Sequence, residues 1–504
     1  MARLAKADAR SDESKVRGRV TLFRMVRTDL ATIIEDHALE RVPDDERESW
    51  LTISWNTVGL ITTLVIMFFG ALVCFVAGVK IALLAGIASF LIGGCLSVAL
   101  ARIAVDTGYS NTLITRKYGL GVRGSALASV IFGFLIVGFL AVENGLLYRG
   151  FLFYFAMDDG WLSRILLYGS MTVAWIVLTA WGFAAVTRTS SVMTVGFMLV
   201  LAWMMFRVLV GNDDGVGDVF LFDSQLDSGT LQSMGITTST HKFIFALNLL
   251  VGPACALALN TADFGRYGKS TGHVATAAMI AIFLQSLVMM VVGGVLMKSA
   301  APAMIAYFTD VAGASESSAR QQLLQSPDSI AATFMVFGGV TGFLLMILAQ
   351  AKAQVLNTYS SSLCIANLFD ALVHWRPGRL TFVVLANLIA LAMLYGEILH
   401  FVEEWIKLLG VLLSALAATI IVDYYIVSPR FPAAAGEPAT ESAVVNWAGV
   451  TSIIVAVFAA HWLLQPFQPI EVLTSLVCVA VVYPALRFTV FRPANGLATG
   501  AASL

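Results

Sequence analysis

The stretch "ALASVIFGFLIVGFLAVENGLLYRGFLFYFAM", residues 126–157, decides the fold class. It is apolar for longer than the about 20 residues that cross a bilayer as a helix. Yet it holds an acid, Glu143, near its middle. A charged side chain at the bilayer centre costs roughly 2.5–3.5 kcal/mol on insertion scales. Either the run is not a membrane span, or something in the folded protein compensates Glu143.

The remainder of the chain favours a span. Of 504 residues, 58% are apolar and 12% are charged, against about 25% charged in soluble domains. That little charge cannot cover a soluble surface of this size, so the class is an all-α polytopic membrane protein in contact with lipid. Twelve apolar runs are long enough to cross, near 52–78, 81–105, 126–156, 163–186, 190–210, 243–263, 272–297, 328–368, 380–397, 402–427, 444–464 and 470–490. The eighth turns amphipathic after Ala349 and reads as one helix that outruns the bilayer. The net charge of -1 offers nothing for nucleic acid.

Charge distribution sets the expected orientation. Alternate loops carry Arg116, Lys117 and Arg123, then Arg188, then Arg266 and Lys269, then Arg376 and Arg379, then Arg430. The first fifty residues are basic, and the opposite loops are acidic: "AMDDG" (156–160) and "GNDDGVGDVFLFDSQLDSG" (211–229). Lysine and arginine stay on the cytoplasmic side, so both ends are expected in the cytoplasm of a multi-pass protein of the cell membrane. The start has no short apolar core with a small-residue cleavage site, so the first span directs insertion. The chain divides into a tail (1–50, with a possible short interfacial helix near 20–39), a transport core (51–427), a linker (428–443), two further spans (444–492) and a tail (493–504). Residues 298–327 read as an outer loop with a short helix.

No enzyme constellation stands out. The six histidines, His37, His241, His273, His374, His400 and His461, are scattered. The five cysteines, Cys74, Cys95, Cys255, Cys364 and Cys478, lie in apolar runs without a paired motif, so neither a metal site nor a disulfide framework is expected. No cofactor is implied, and no soluble output domain for a sensor is present.

Transporters often repeat five helices with inverted topology and interrupt the first helix of each repeat at mid-membrane. Span 1, "SWNTVGLITTLVIMFFG", has Gly59 and then Thr62-Thr63; span 6 has Gly252-Pro253 near its centre. Proline removes a backbone donor, though a simple kink without a site is an equally plain reading. Breaks there would place a solute site between spans 1, 6, 3 and 8. Phe139 lies one turn before Glu143 on the same face, so a flat solute could stack on the ring and donate N–H groups to the acid. Lipid or core packing is the bland reading of Phe139; a structural ion pair or a protonated acid is that of Glu143. In span 8, Gln350, Gln354 and Asn357 fall at i, i+4 and i+7, a stripe suited to a heterocycle edge or to plain interhelical hydrogen bonds. Lys352 points roughly the other way and is the second intramembrane charge that could balance Glu143.

Four pieces resemble the nucleobase–cation symporter family, the purine, cytosine, hydantoin and allantoin permeases. They are "DTGYSNTLITRKYGLGVRGS" (106–125), "LNTADFGRYGKS" (259–270), "NTYSSSL" (357–363) and "IVDYYIV" (421–427). The resemblance implies twelve helices, a leucine-transporter-like 5+5 inverted repeat in the first ten, and alternating access. It sets Phe139 in the place of a stacking aromatic, Glu143 in that of a polar solute contact, and Gln354 in that of an asparagine. A second stacking tryptophan is replaced by Ala254, a departure from hydantoin-type members. Ala351-Lys352-Ala353 stands where sodium-coupled relatives carry hydroxyls. The expected substrate-binding set is Phe139, Glu143, Gly252, Pro253, Gln350, Gln354, Asn357, Gly59 and Thr62; the expected ion-coupling set is Lys352, Glu143 and Thr63. The expected partners are a small N-heterocycle and a proton rather than sodium. The alternatives are a cationic vitamin or guanidino-type solute, or a sodium-coupled hydantoin or allantoin permease.

Overall fold

The computed structural model describes residues 39–155, 157–180, 182–210, 219–310, 315–325, 333–335, 339–396, 401–431 and 444–492. The linker after 431, residues 1–38 of the first tail, including nearly all of the expected interfacial helix, and the last tail lie outside the described residues. Everything described is helix, turn or coil; the one backbone bridge outside helices joins Glu48 to Gly268. Apolar side chains around the whole circumference of a helix leave its backbone groups nothing to bond but each other, and that is why lipid selects helices.

The helices in chain order are α1 (Trp50–Ile61), α2 (Leu64–Ala77), α3 (Val79–Thr107), α4 (Asn111–Lys117), α5 (Ser125–Phe155), α6 (Trp161–Ala180), α7 (Gly182–Val210), α8 (Ser228–Ser233) and α9 (Ser239–Gly265). They continue as α10 (Thr271–Phe283), α11 (Met290–Asp310), α12 (Glu316–Gln325), α13 (Val340–Val373), α14 (Arg379–Tyr395), α15 (Val402–Val422), α16 (Trp447–Phe458) and α17 (Glu471–Thr489). Among the described residues, nine helices or joined helices are long and apolar enough to cross a membrane, ten if α1 and α2 form one bent span. Two shorter apolar helices occupy Arg379–Tyr395 and Trp447–Leu463. Span 8 begins at Val340 rather than near 328, because Gly339 at φ 50° turns the chain just before it.

Polar contacts join the four quoted pieces, Arg266 of the second donating to the Tyr359 hydroxyl of the third at 2.8 Å. Asp263, at the end of α9, accepts from the Asn111 backbone N–H at 2.8 Å and from its side-chain amide at 3.4 Å. Arg116 of α4 donates to Asn367 at 2.7 Å and pairs with Asp370 at 2.7 Å, both on α13. Asp423, just after α15, accepts from the Gly119 N–H at 2.6 Å; Gly119 holds φ 104°, open to glycine but strained for other residues. The short α4 segment thus ties together the ends of three long helices.

At the other end, one acid of the 156–160 loop is paired within the structure. Asp159 accepts from Arg164 at 2.8 Å and from the Tyr148 hydroxyl at 2.8 Å, and lies 3.2 Å from Arg149. Arg164, first among these, holds the Asp159 carboxyl below the usual carboxylate range.

Candidate functional site

Span 1 is broken, with α1 and α2 meeting at 60°. The break falls at Thr62-Thr63, three residues after Gly59, which stays inside the last turn of α1. One glycine costs a helix only about 1 kcal/mol, too little to open it. The threonines do more, because their hydroxyls bond the backbone on either side of the break. The Thr62 hydroxyl donates to the Val58 carbonyl at 2.9 Å, and Thr63, extended at φ -120° and ψ 162°, caps the Ile66 N–H of α2 at 3.5 Å.

Span 6 is not broken. α9 runs unbroken through Pro253, which corrects the interruption expected at Gly252-Pro253. Proline removes one donor, but α9 is clamped by α3 on one side and α15 on another, and that packing keeps it helical. Gly252 serves the packing: a Cβ there would stand 3.0 Å from the Ile406 carbonyl and 3.5 Å from Cα of Gly410, both on α15. Gly252→Val should therefore overpack this crossing at about 1–3 kcal/mol. The check is thermal unfolding in detergent; an unchanged midpoint would show that the close approach is dispensable.

The span 8 stripe is the seam between α13 and α5. Gln350 donates to the Glu143 backbone carbonyl at 3.2 Å. Gln354 donates to the Leu140 carbonyl at 2.8 Å and to Asn144 Oδ1 at 2.7 Å. Asn144 Oδ1 also accepts from the Trp175 indole at 2.8 Å, which draws in α6. Asn357 completes the row, donating to Glu143 Oε2 at 3.2 Å. The acid that opened the question is met first by a neutral amide.

Lys352 leaves α13 on the other side and is fully buried. It donates to the Thr62 hydroxyl at the helix break and lies 3.9 Å from the centre of the Phe197 ring on α7. Among the described residues no ion pair joins Lys352 to Glu143, although the two interact electrostatically and Thr63 faces the carboxylate. The two adjacent threonines therefore stand between base and acid.

A cavity of about 380 Å³, counted out to its mouth, lies beside this break. Its lining includes Thr63, Phe139, Glu143, Pro253, Asn260, Gln285 and Asn357, with Leu60, Ile61 and Ile136 among the apolar walls. Gly59, Thr62, Gly252, Gln350, Gln354 and Lys352 do not line it; they sit behind its walls. Phe139 is backed edge-on by Trp405 of α15, ring centres 5.3 Å apart. Sequence reasoning missed Trp405, Asn260 and Gln285. Gln285 was findable, since with Ser286 it interrupts the apolar run of span 7 as Glu143 interrupts span 3. Asn260 was quoted only as part of a motif, and nothing local pointed Trp405 at Phe139.

The arrangement can stack a flat ring on Phe139 and offer it the Glu143 carboxyl, with the Lys352 amine buried at the helix break behind. A sequence model of a family described as permease for cytosine/purines, uracil, thiamine, allantoin matches residues 42–483. Cytosine permease of Escherichia coli K12 is 23% identical over 422 residues, covering 84% of this chain and 88% of the relative. The cytosine permease of Escherichia coli O157:H7 is 22% identical over 425 residues. The structure is similar to Mhp1 in its inward-facing conformation, with TM-score 0.67 at 15% identity over 90% of this chain and 94% of that one. It is equally similar, at TM-score 0.67, to the nucleobase-cation-symport-1 transporter Mhp1 in a closed conformation with bromovinylhydantoin bound, at 14% identity, covering 90% and 96%.

Proposed function

The chain belongs to the permease family for cytosine/purines, uracil, thiamine and allantoin and is a membrane transporter rather than an enzyme, and from this premise we propose that it imports a nucleobase or related N-heterocycle by alternating access, driven by a proton. The observation that carries the reading is the cavity in which the Phe139 ring, the Glu143 carboxylate and the Asn357 amide come together beside a broken helix. A twelve-span count, a 5+5 inverted repeat in α1–α15 and cytoplasmic ends belong to the same reading, as does the division into tails, core, linker and two last spans. A cationic solute paired with Glu143 is the second reading; the acid in the cavity wall favours it, and Lys352 behind that wall opposes it.

The test is uptake by the protein in liposomes of labelled cytosine, adenine, hypoxanthine and uracil, with proton and sodium gradients imposed separately. Phe139 supplies the internal control. Phe139→Trp should keep most binding, whereas Phe139→Ala should lose about 1–3 kcal/mol, by analogy with base–aromatic stacking elsewhere. Equal affinity in wild type and the alanine variant would place the ring outside the site. Uptake of none of the bases would overturn the reading.

A further inference from the structure

We propose that Asn260 and Gln285 form a second recognition edge in the cavity, one that holds an adjacent N–H donor and acceptor on a ligand edge not used by Glu143 and Asn357. This rests on the cavity being the solute site. Both side chains line it and each is only 5% exposed. Asn260 Oδ1 and Gln285 Nε2 are buried with no hydrogen-bond partner. Leaving a buried polar atom unpaired is unfavourable, and here an acceptor and a donor are left open in one cavity.

The backbone supports the assignment. Gln285 sits in a π turn, Leu284–Met289, between α10 and α11. Such turns insert one extra residue into a helix and recur at functional sites. The next residue anchors the turn from behind: the Ser286 hydroxyl meets Ser89 of α3 at 3.4 Å, and the Ser286 carbonyl packs where Gly86 has no side chain. Asn260 comes from α9, seven residues after Pro253. The α5–α13 seam carries Glu143 and Asn357; α9 and the π turn carry the two amides.

An amide oxygen accepts a ligand N–H, and an amide N–H₂ donates to a carbonyl or ring nitrogen. Each amide can rotate to present either atom, so the pair reads the presence of adjacent donor and acceptor rather than their order. The ligand class is then a planar heterocycle with two polar edges: one that donates to Glu143, and one of lactam or amidine type. A site built to bond a polar group rejects the analogue lacking it far more strongly than an apolar pocket rejects a missing methylene.

Binding to the purified full-length protein in detergent tests this, with cytosine against 4-aminopyrimidine and adenine against 4-aminoquinazoline. Each analogue keeps the amino edge of its base and lacks the N–H donor of the other edge, so no adjacent donor–acceptor pair remains there. Wild type should prefer the base at least tenfold. Asn260→Leu and Gln285→Met should lose that preference by weakening the base and sparing the analogue, whereas Glu143→Gln should weaken both. If the Asn260→Leu variant does not fold, Gln285→Met alone, which keeps side-chain length and removes the amide, should show the same loss. Undiminished preference in the amide variants, with Glu143→Gln still defective, would overturn the second edge alone. No binding of either base to wild type would overturn the solute reading and the second edge with it.

Discussion

Glu143→Gln should abolish gradient-driven uptake in a protein that still folds. The substitution keeps length and shape, and its amide oxygen can still accept from Asn357, which now bonds Glu143 Oε2 at 3.2 Å. The backbone bond from Gln350 to the residue 143 carbonyl, 3.2 Å, does not depend on the side chain at all. The α5–α13 seam therefore survives. What changes is the group presented to the cavity: an anion that accepts becomes an amide whose free end donates. An N–H-bearing solute then meets a donor in place of an acceptor. A hydrogen bond to a charged group is worth about 1.5–3 kcal/mol, or roughly 10- to 150-fold in affinity. Initial uptake rates in liposomes, with thermal unfolding as the control for folding, decide it. Full uptake by this variant would remove Glu143 from the site.

The second large effect concerns Lys352. Uptake by the wild type should be unchanged when sodium is replaced by choline at fixed pH, and should rise with an inward proton gradient. The ammonium is held at the break by the Thr62 hydroxyl and covered by the Phe197 ring. Two like unit charges about 4 Å apart at an effective dielectric of 20 repel by about 4 kcal/mol, roughly a thousandfold in affinity. A sodium ion would have to bind against that at the same break. Lysine can give up its charge as a proton, which arginine does not do in proteins, so the group that excludes sodium can itself carry the coupling. Lys352→Ser should transport poorly, because it leaves Thr62 without its donor and Glu143 without the nearby opposite charge. A strong fall of the wild-type rate in choline would overturn this and return residues 351–353 to a sodium site.

Much of the fold was legible because membrane helices announce themselves by length. The apolar runs at 81–105 and 470–490 coincide closely with α3 and α17. The break in span 1 was also legible, its place only to within Gly59–Thr63. A glycine is visible in a sequence, whereas the hydrogen bonds that let Thr62 and Thr63 replace a helical turn are visible only in three dimensions. For Pro253 the error ran the other way: proline's local cost was plain, and the clamping of α9 by its neighbours was not.

At the site, the identity of the unusual residues was a property of the sequence. An acid, a lysine and an amide stripe inside apolar runs carry a desolvation cost that no local structure relieves, so each had to find a partner in the fold. Which partner each found was decided by tertiary structure. Gln350 and Gln354 turned to the backbone and amides of α5, Lys352 turned to the helix break, and Asn357 alone of the stripe reached the cavity. Helical periodicity states which face a side chain leaves from. It does not state what stands opposite, because that depends on how helices distant in sequence cross, and here those crossings are set by small residues such as Gly252 against Gly410.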